Sequence, residues 1–350
     1  VRLSTRRALR EGAEKLADAR LPLEPLLDEV AALLARELPH DCASAHPVDP
    51  MTITMAGCRL LGDPPDGQRI AEYEYLAEDV NSLADLALGP RHCASLTATT
   101  GGRPEVSARF RDLLRPSGLG DELRAVFVVD GLCWGAFGCY REAGGFDEDE
   151  ADALHELSPV LGRAFRAAAV HASAAADAAV APGVVVLDAD RRIRWATELG
   201  RDWLRELGFD GEPRGDRPPQ AVSSVVERAR STGGHATVRV IGISGRWVEV
   251  HASASDEGPG QVAVILQSPP PATIAPLIAY AYGLTDRERE LVALVLVGLS
   301  TVEIAARLVI SVHTVQDHLK SVFDKVGVRS RRALIGRMSL RYGPLRPPGG

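Results

Sequence analysis

The chain has little with which to cross a membrane, build a disulfide framework or leave the cell. No apolar run approaches the roughly 18 residues that a spanning helix needs, so no membrane partner is expected. The opening residues, VRLSTRRALREGAEKL, lack the apolar core of a secretory signal. The five cysteines, Cys42, Cys58, Cys93, Cys133 and Cys139, are odd in number and have no CxxC spacing. Ordinary buried thiols in a reducing cytoplasm are the expectation.

Catalytic signatures are also missing. There is no G-K-[ST], hence no P-loop. SGLGDEL holds only G-x-G ahead of a strand, and Leu119 and Leu123 break its likeness to the GG[DE]EF word of nucleotide cyclases. His155-Glu156 lacks the second histidine of HExxH, and Gly242-Ile243-Ser244-Gly245 falls one residue short of a nucleophile elbow. VVVLDAD reads as a hairpin with an Asp at its turn, not as a phospho-acceptor site. His40, Cys42 and His46 fit no known ligand spacing. Cys133 and Cys139, six apart, are expected on one face of a strand but roughly 20 Å apart, too far for a disulfide. Trp134 and Tyr140 then share the other face, as core or dimer contacts. No catalytic activity, metal or cofactor is expected.

What is present is a charge asymmetry. The net charge is −7. Residues 285–350 carry 11 Lys/Arg against 6 Asp/Glu, whereas the residues before them carry 29 against 41. A basic end on an acidic body suits a regulator with a separate DNA module.

In that basic end, start and stop signals mark short helices. Thr285-Asp286-Arg287-Glu288 and Ser300-Thr301-Val302-Glu303 are capping boxes. Ser311 starts a third helix, Gly298 and Gly327 are stop signals, and Ser330 can cap a fourth helix running to about Met338. At helical spacing, Val312, Val315, Leu319, Val322, Phe323 and Val326 fall on one side of the third helix. That side should pack on Leu291, Val295, Ile304, Ala305 and Leu308. His313, Gln316, Asp317, Lys320 and Asp324 fall on the other side, presented outward at a width that a major groove admits.

The words LTDRERE, GLSTVEIAARL, IS-x-x-TV-x-x-HL and KVGVRSRRAL strongly resemble the LuxR/NarL type of helix-turn-helix domain over about 55 residues. The resemblance implies a recognition helix from Val312 to Lys325 and a partner in double-stranded DNA. By position, Val312, His313, Gln316, Asp317 and Lys320 become candidates for base edges or nearby phosphates. Ser300, Thr301, Thr314, Lys325, Arg329, Ser330 and Arg331 become candidates for backbone positioning. The chain departs from many relatives in having Gln316-Asp317 where Lys or Arg follows the Thr-Val. Gln can pair with adenine and Asp can accept from cytosine, while an i,i+3 pair between Asp317 and Lys320 is the alternative.

Upstream, residues 1–20 are expected to form a leading helix and Leu23–Leu38 a second one, with β-like runs at Cys42–Val48 and Met51–Cys58. Residues 69–87 mix strand and helix signals. Leu123–Val129 and Leu132–Tyr140 are strands joined by Asp130-Gly131, a two-residue hairpin signal. A closing helix follows Phe146-Asp147-Glu148-Asp149-Glu150, with Pro159 expected to kink it. Helix, strands, hairpin and closing helix resemble an α+β GAF sensory domain over residues 21–170. Residues 171–182 read as an Ala-rich connecting helix. Over 183–267, two strands, short helices and three strands resemble an α+β PAS domain with a short helical part. A linker and lead-in helix (268–283), the all-α four-helix LuxR-type domain (284–342) and a disordered tail (343–350) complete a multidomain chain.

The expected function is sequence-specific DNA binding by a cytoplasmic homodimer, controlled by N-terminal sensory and dimerisation domains on which an unidentified small ligand or protein partner acts. In the alternative, those domains are an interaction platform for a protein partner.

Overall fold

The structure is a computed structural model that describes residues 3–172, 181–208, 217–254 and 260–339. The described residues up to 268 form one compact unit, and the described helices from 269 onward form another. Most of the expected connecting helix, part of the Pro/Gly-rich stretch 211–219 and the tail 343–350 lie outside the described residues. No described helix is long and apolar enough to cross a membrane.

The first unit opens with α1 (Leu3–Ala19) and α2 (Leu23–Glu37). Leu26, Leu27, Val30, Leu33 and Leu34 of α2 are buried, as their spacing predicts. Then come β1 (Cys42–Asp49), β2 (Thr54–Met55) and β3 (Arg59–Leu61). The expected strand at Met51–Cys58 is therefore a correction, since only two of its residues pair. Asp49 folds the chain back, its carboxylate accepting from the Met51 N–H at 2.9 Å and its carbonyl from Thr52 and Ile53. The unsettled stretch 69–87 resolves into α3 (Gly67–Tyr75) and α4 (Leu83–Leu88), capped by Asp66 and Ser82.

After β4 (Cys93–Ser95) and the short α5 (Leu96–Thr99) come β5 (Asp121–Val129), β6 (Leu132–Arg141) and the long α6 (Glu148–Ala172). Asp130 and Gly131 take φ of 52° and 75°, both left-handed, which suits the twist of the hairpin they join. The main path of the sheet is β2-β1-β6-β5-β4, with β3 also paired to β1. Helix α6 runs continuously through Pro159. At Gly162, an added Cβ would lie 3.1 Å from the Val128 carbonyl carbon, so the missing side chain lets α6 approach β5 closely.

The ladder between β5 and β6 shifts register between Phe127 and Val128, so Phe127 faces Gly135 but Val128 faces Cys133. Trp134 is the extra residue. Strict alternation placed Cys133 and Cys139 on one face; the irregularity corrects this. Cys133 joins the core that holds Val126, Ala136 and Tyr140, and Cys139 is not part of it. Burial pushes the thiols of Cys58 and Cys133 up to about 12, which leaves them unreactive at neutral pH.

A second sheet has its own core. It comprises β7 (Gly183–Leu187), β8 (Ile193–Ala196), β9 (His235–Ile241), β10 (Trp247–Ala254) and β11 (Val262–Gln267), in the order β8-β7-β11-β10-β9. Helices α7 (Glu198–Glu206) and α8 (Gln220–Ser231) cover one face. Asp188 holds the first turn by accepting from the Arg192 N–H at 2.9 Å, a turn-forming role. The sheets meet where Asp49 accepts from the Arg239 N–H at 2.9 Å and where Arg191 pairs with Glu72 at 2.9 Å.

In the second unit, the lead-in helix expected within 268–283 is α9 (Pro271–Ala281). Pro271 occupies the first helical position, where a missing N–H is harmless, and the helix continues through Pro276. Then come α10 (Asp286–Leu296), α11 (Thr301–Leu308), α12 (Val312–Val326) and α13 (Arg331–Ser339).

Candidate nucleic-acid interface

Helix α12 is positioned from its apolar side. Val315, Leu319, Val322 and Val326 are buried, and so are Leu291, Val295, Ile304, Ala305 and Leu308 on α10 and α11. Val312 is the departure. Although it shares the apolar stripe, it sits in the first turn and is 40% exposed. His313, Gln316, Asp317, Lys320 and Asp324 are all exposed on the outer face.

Both capping boxes form. The Thr285 hydroxyl accepts from the Glu288 N–H at 3.3 Å while Glu288 accepts from the Thr285 N–H at 2.7 Å. Ser300 and Glu303 repeat this at 3.3 and 2.7 Å. The Ser311 hydroxyl caps α12 by accepting from the Thr314 N–H at 3.0 Å and lies 2.8 Å from the Thr314 hydroxyl. Ser330 caps α13, accepting from Ala333 at 3.1 Å. The hydroxyls of Ser300, Thr314 and Ser330 are thus already engaged at helix starts.

Glu288 does more than cap. It is 3% exposed, and its carboxylate also accepts from the Ser321 hydroxyl at 2.6 Å and pairs with the Lys325 ammonium at 2.6 Å. Burial alone would raise its pKa, but the bonds from Lys325, Ser321 and Thr285 outweigh that and hold it at about 2. One carboxylate therefore starts α10 and fixes the C-terminal half of α12. Lys325, singled out as a positioning cation, is turned inward to this carboxylate. Arg331 likewise donates to the Leu299 carbonyl.

Asp317 pairs with His313 at 3.3 Å across one turn, rather than with Lys320. Lys320, Gln316 and Arg329 keep their heads in solvent. Arg287 was not singled out from the sequence. Its guanidinium donates to the Leu308 carbonyl at 2.6 Å, meeting an open acceptor at the end of α11. The two residues are 21 positions apart, and no local signal marks the contact.

Between α11 and α12 the chain turns through Val309, at φ 54° and ψ 48°, with 89% of its surface exposed. A β-branched residue in left-handed backbone is strained, by roughly 1–2 kcal/mol. Val309→Gly should therefore raise the stability of the helical unit by about 1 kcal/mol in urea denaturation. An unchanged or lowered midpoint would show that the turn is not under strain.

Residues 283–338 match the model for bacterial regulatory proteins of the luxR family. A protein of Mycobacterium bovis named as an HTH-type transcriptional regulator is 46% identical over 62 residues, which is 18% of this chain and 7% of that protein. The transcriptional regulatory protein SgaR of Hyphomicrobium methylovorum is 52% identical over 49 residues, 14% of this chain and 23% of that one. Among solved structures, the Vibrio cholerae VqmA–ligand–DNA complex aligns with 47% of this chain and 83% of its own at 19% identity. Its TM-score of 0.22 is too low to carry an argument.

Proposed function

We propose, from the LuxR-type helix-turn-helix domain at residues 283–338, that this chain is a sequence-specific, DNA-binding transcriptional regulator. The observation that carries the reading is α12: a buried apolar side and a buried carboxylate anchor hold it, and its polar side is uncovered within the domain. Val312, His313, Gln316, Asp317 and Lys320 face base edges or adjacent phosphates. Ser300, Thr301, Thr314, Arg329, Ser330 and Arg331 set register on the backbone. Lys325 can add a phosphate contact only by sharing its charge with Glu288. The His313–Asp317 pair keeps a carboxylate at the groove, which penalises phosphate-only contacts and so favours a specific site.

The two sheet-bearing parts are read as GAF-like (21–170) and PAS-like (183–267) sensory regions. Support comes from the hairpin and closing helix of the first and from the two strands, short helices and three strands of the second. A homodimer then places two α12 helices on half-sites about one helical turn apart. A ligand or partner that binds one arrangement better than the other shifts the fraction competent to bind.

Selection of bound sites from random duplexes by the full chain tests the reading, and an inverted repeat is the expected product. On that site, Lys320→Ala should weaken binding and lower the slope of log affinity against log salt by about 1. Gln316→Ala on the same duplexes should relax preference at one base pair by about 1–3 kcal/mol. Failure to enrich any site, or an unchanged salt slope in Lys320→Ala, would count against this interface.

A further inference from the structure

A cleft opens where the first sheet meets the second, lined among others by Pro47, Trp134, Phe165, Arg239, Ile241 and Trp247. The space enclosed among these side chains is wide enough for about one water, and its mouth opens to solvent. The lining is mostly apolar. Its one close charge pair is internal: the Arg239 guanidinium lies 3.3 Å from the Asp49 carboxylate and 3.6 Å from Glu249, although the Arg239 Nε–H has no hydrogen-bond partner.

Two indoles on this lining also lack a partner. Trp134 and Trp247 are 4% and 5% exposed, and neither indole N–H has a hydrogen-bond partner or contact with solvent. The contrast is Trp203, in the core of the second sheet, whose N–H donates to the Ala181 carbonyl at 3.0 Å. A buried donor without an acceptor is destabilising, and few are tolerated in a folded chain. Both belong to side chains that line one cleft.

We propose that the cleft binds a small uncharged molecule with an apolar body and one or two hydrogen-bond acceptor atoms, which parts the walls far enough to receive the indole N–H groups. A free carboxylate is disfavoured because Asp49 is in the wall and Arg239 is already neutralised. An organic cation finds no unpaired carboxylate there. One wall comes from β1, β6 and α6 and the other from β9 and β10, so the occupant touches both sheets at once. It favours whichever spacing of the sheets admits it. The binding step stands without the DNA-binding reading, and only its use as a signal rests on that reading.

The test uses the full chain labelled with 5-fluorotryptophan and cyclohexanone as the probe, followed by fluorine NMR. The resonances of Trp134 and Trp247 should shift saturably with one midpoint in the roughly millimolar range, as a ligand of this size allows. Those of Trp195 and Trp203 should stay in place. Benzene, similar in size but without an acceptor, should give no saturable shift. Trp134→Phe and Trp247→Phe should each weaken the midpoint about fivefold. Three results would overturn the site: no saturable shift at the two cleft tryptophans, benzene matching cyclohexanone, or Phe variants that bind unchanged. If a variant does not fold, the comparison of the two probes on the native chain decides. DNA affinity of the unlabelled chain, measured with and without cyclohexanone, separates the two claims. Saturable binding with unchanged DNA affinity upholds the site and removes its regulatory use.

Discussion

Glu122→Gln should destabilise the first unit by about 3–5 kcal/mol, the penalty for leaving buried charges uncompensated. Glu122 is 1% exposed on β5. One of its oxygens accepts from Arg109 at 2.7 and 3.0 Å, the other from Arg124 at 3.0 Å. Arg124 continues to Glu74 at 2.6 Å, and Arg109 lies 3.6 Å from Asp79. The side chains of all five are at most 6% exposed. Burial would raise the Glu122 carboxyl, but the two guanidinium groups outweigh it and hold the group ionised. Gln keeps the shape and removes the charge that both arginines face. Urea denaturation read by far-UV circular dichroism measures the loss. A loss below about 1 kcal/mol for the single variant would show that the network is dispensable.

Glu288→Gln should cost the helical unit about 2–4 kcal/mol at neutral pH, and the difference from the parent should vanish in acid. The sign follows from the depressed pKa. The folded carboxyl titrates at about 2, below its ordinary value of 4.5, so its contribution is complete above about pH 5. It is lost as pH falls from there toward 2. The parent should lose stability across that window while the Gln variant stays comparatively flat. The same variant should bind DNA less well at neutral pH even where it is fully folded, since Lys325 and Ser321 lose the group that fixes α12. A parent and variant with the same pH profile would remove Glu288 from this role.

These two centres also show where sequence reading stops. Thr285 and Ser300 were legible because a capping box is local, three residues deep. The Asp130-Gly131 turn was legible because few residue pairs accept two left-handed positions in succession. The ion network was not. Asp121 and Glu122 look like a solvated strand entrance, and a strand beginning at Leu123 is the natural reading. What makes Glu122 an interior position is Arg109, 13 positions upstream, and Arg124 closing over it. Lys325 poses the same difficulty at a separation of 37 residues from Glu288. Its charge suggested a phosphate, and its true neighbour is visible only in three dimensions. The face of Cys133 was misread for another reason: one extra residue in the ladder, Trp134, undoes period-two alternation and leaves no mark in composition.

Strand order carries a consequence for how the chain comes off the ribosome. In each sheet the first strand pairs with the last: β1 with β6, and β7 with β11. Cys42 therefore waits for Tyr140, and Gly183 for Leu266, before either central ladder can close. During synthesis the earlier strands stay available to wrong neighbours for that whole interval, because pairing at long separation is slow and aggregation-exposed. The helical unit waits less, since its helices cap themselves within a few residues and Glu288 meets Lys325 after only 37 positions. A nascent chain halted between residues 49 and 132 thus holds β1 without its partner β6, and one halted between 141 and 262 holds every strand of the first sheet but not the last of the second.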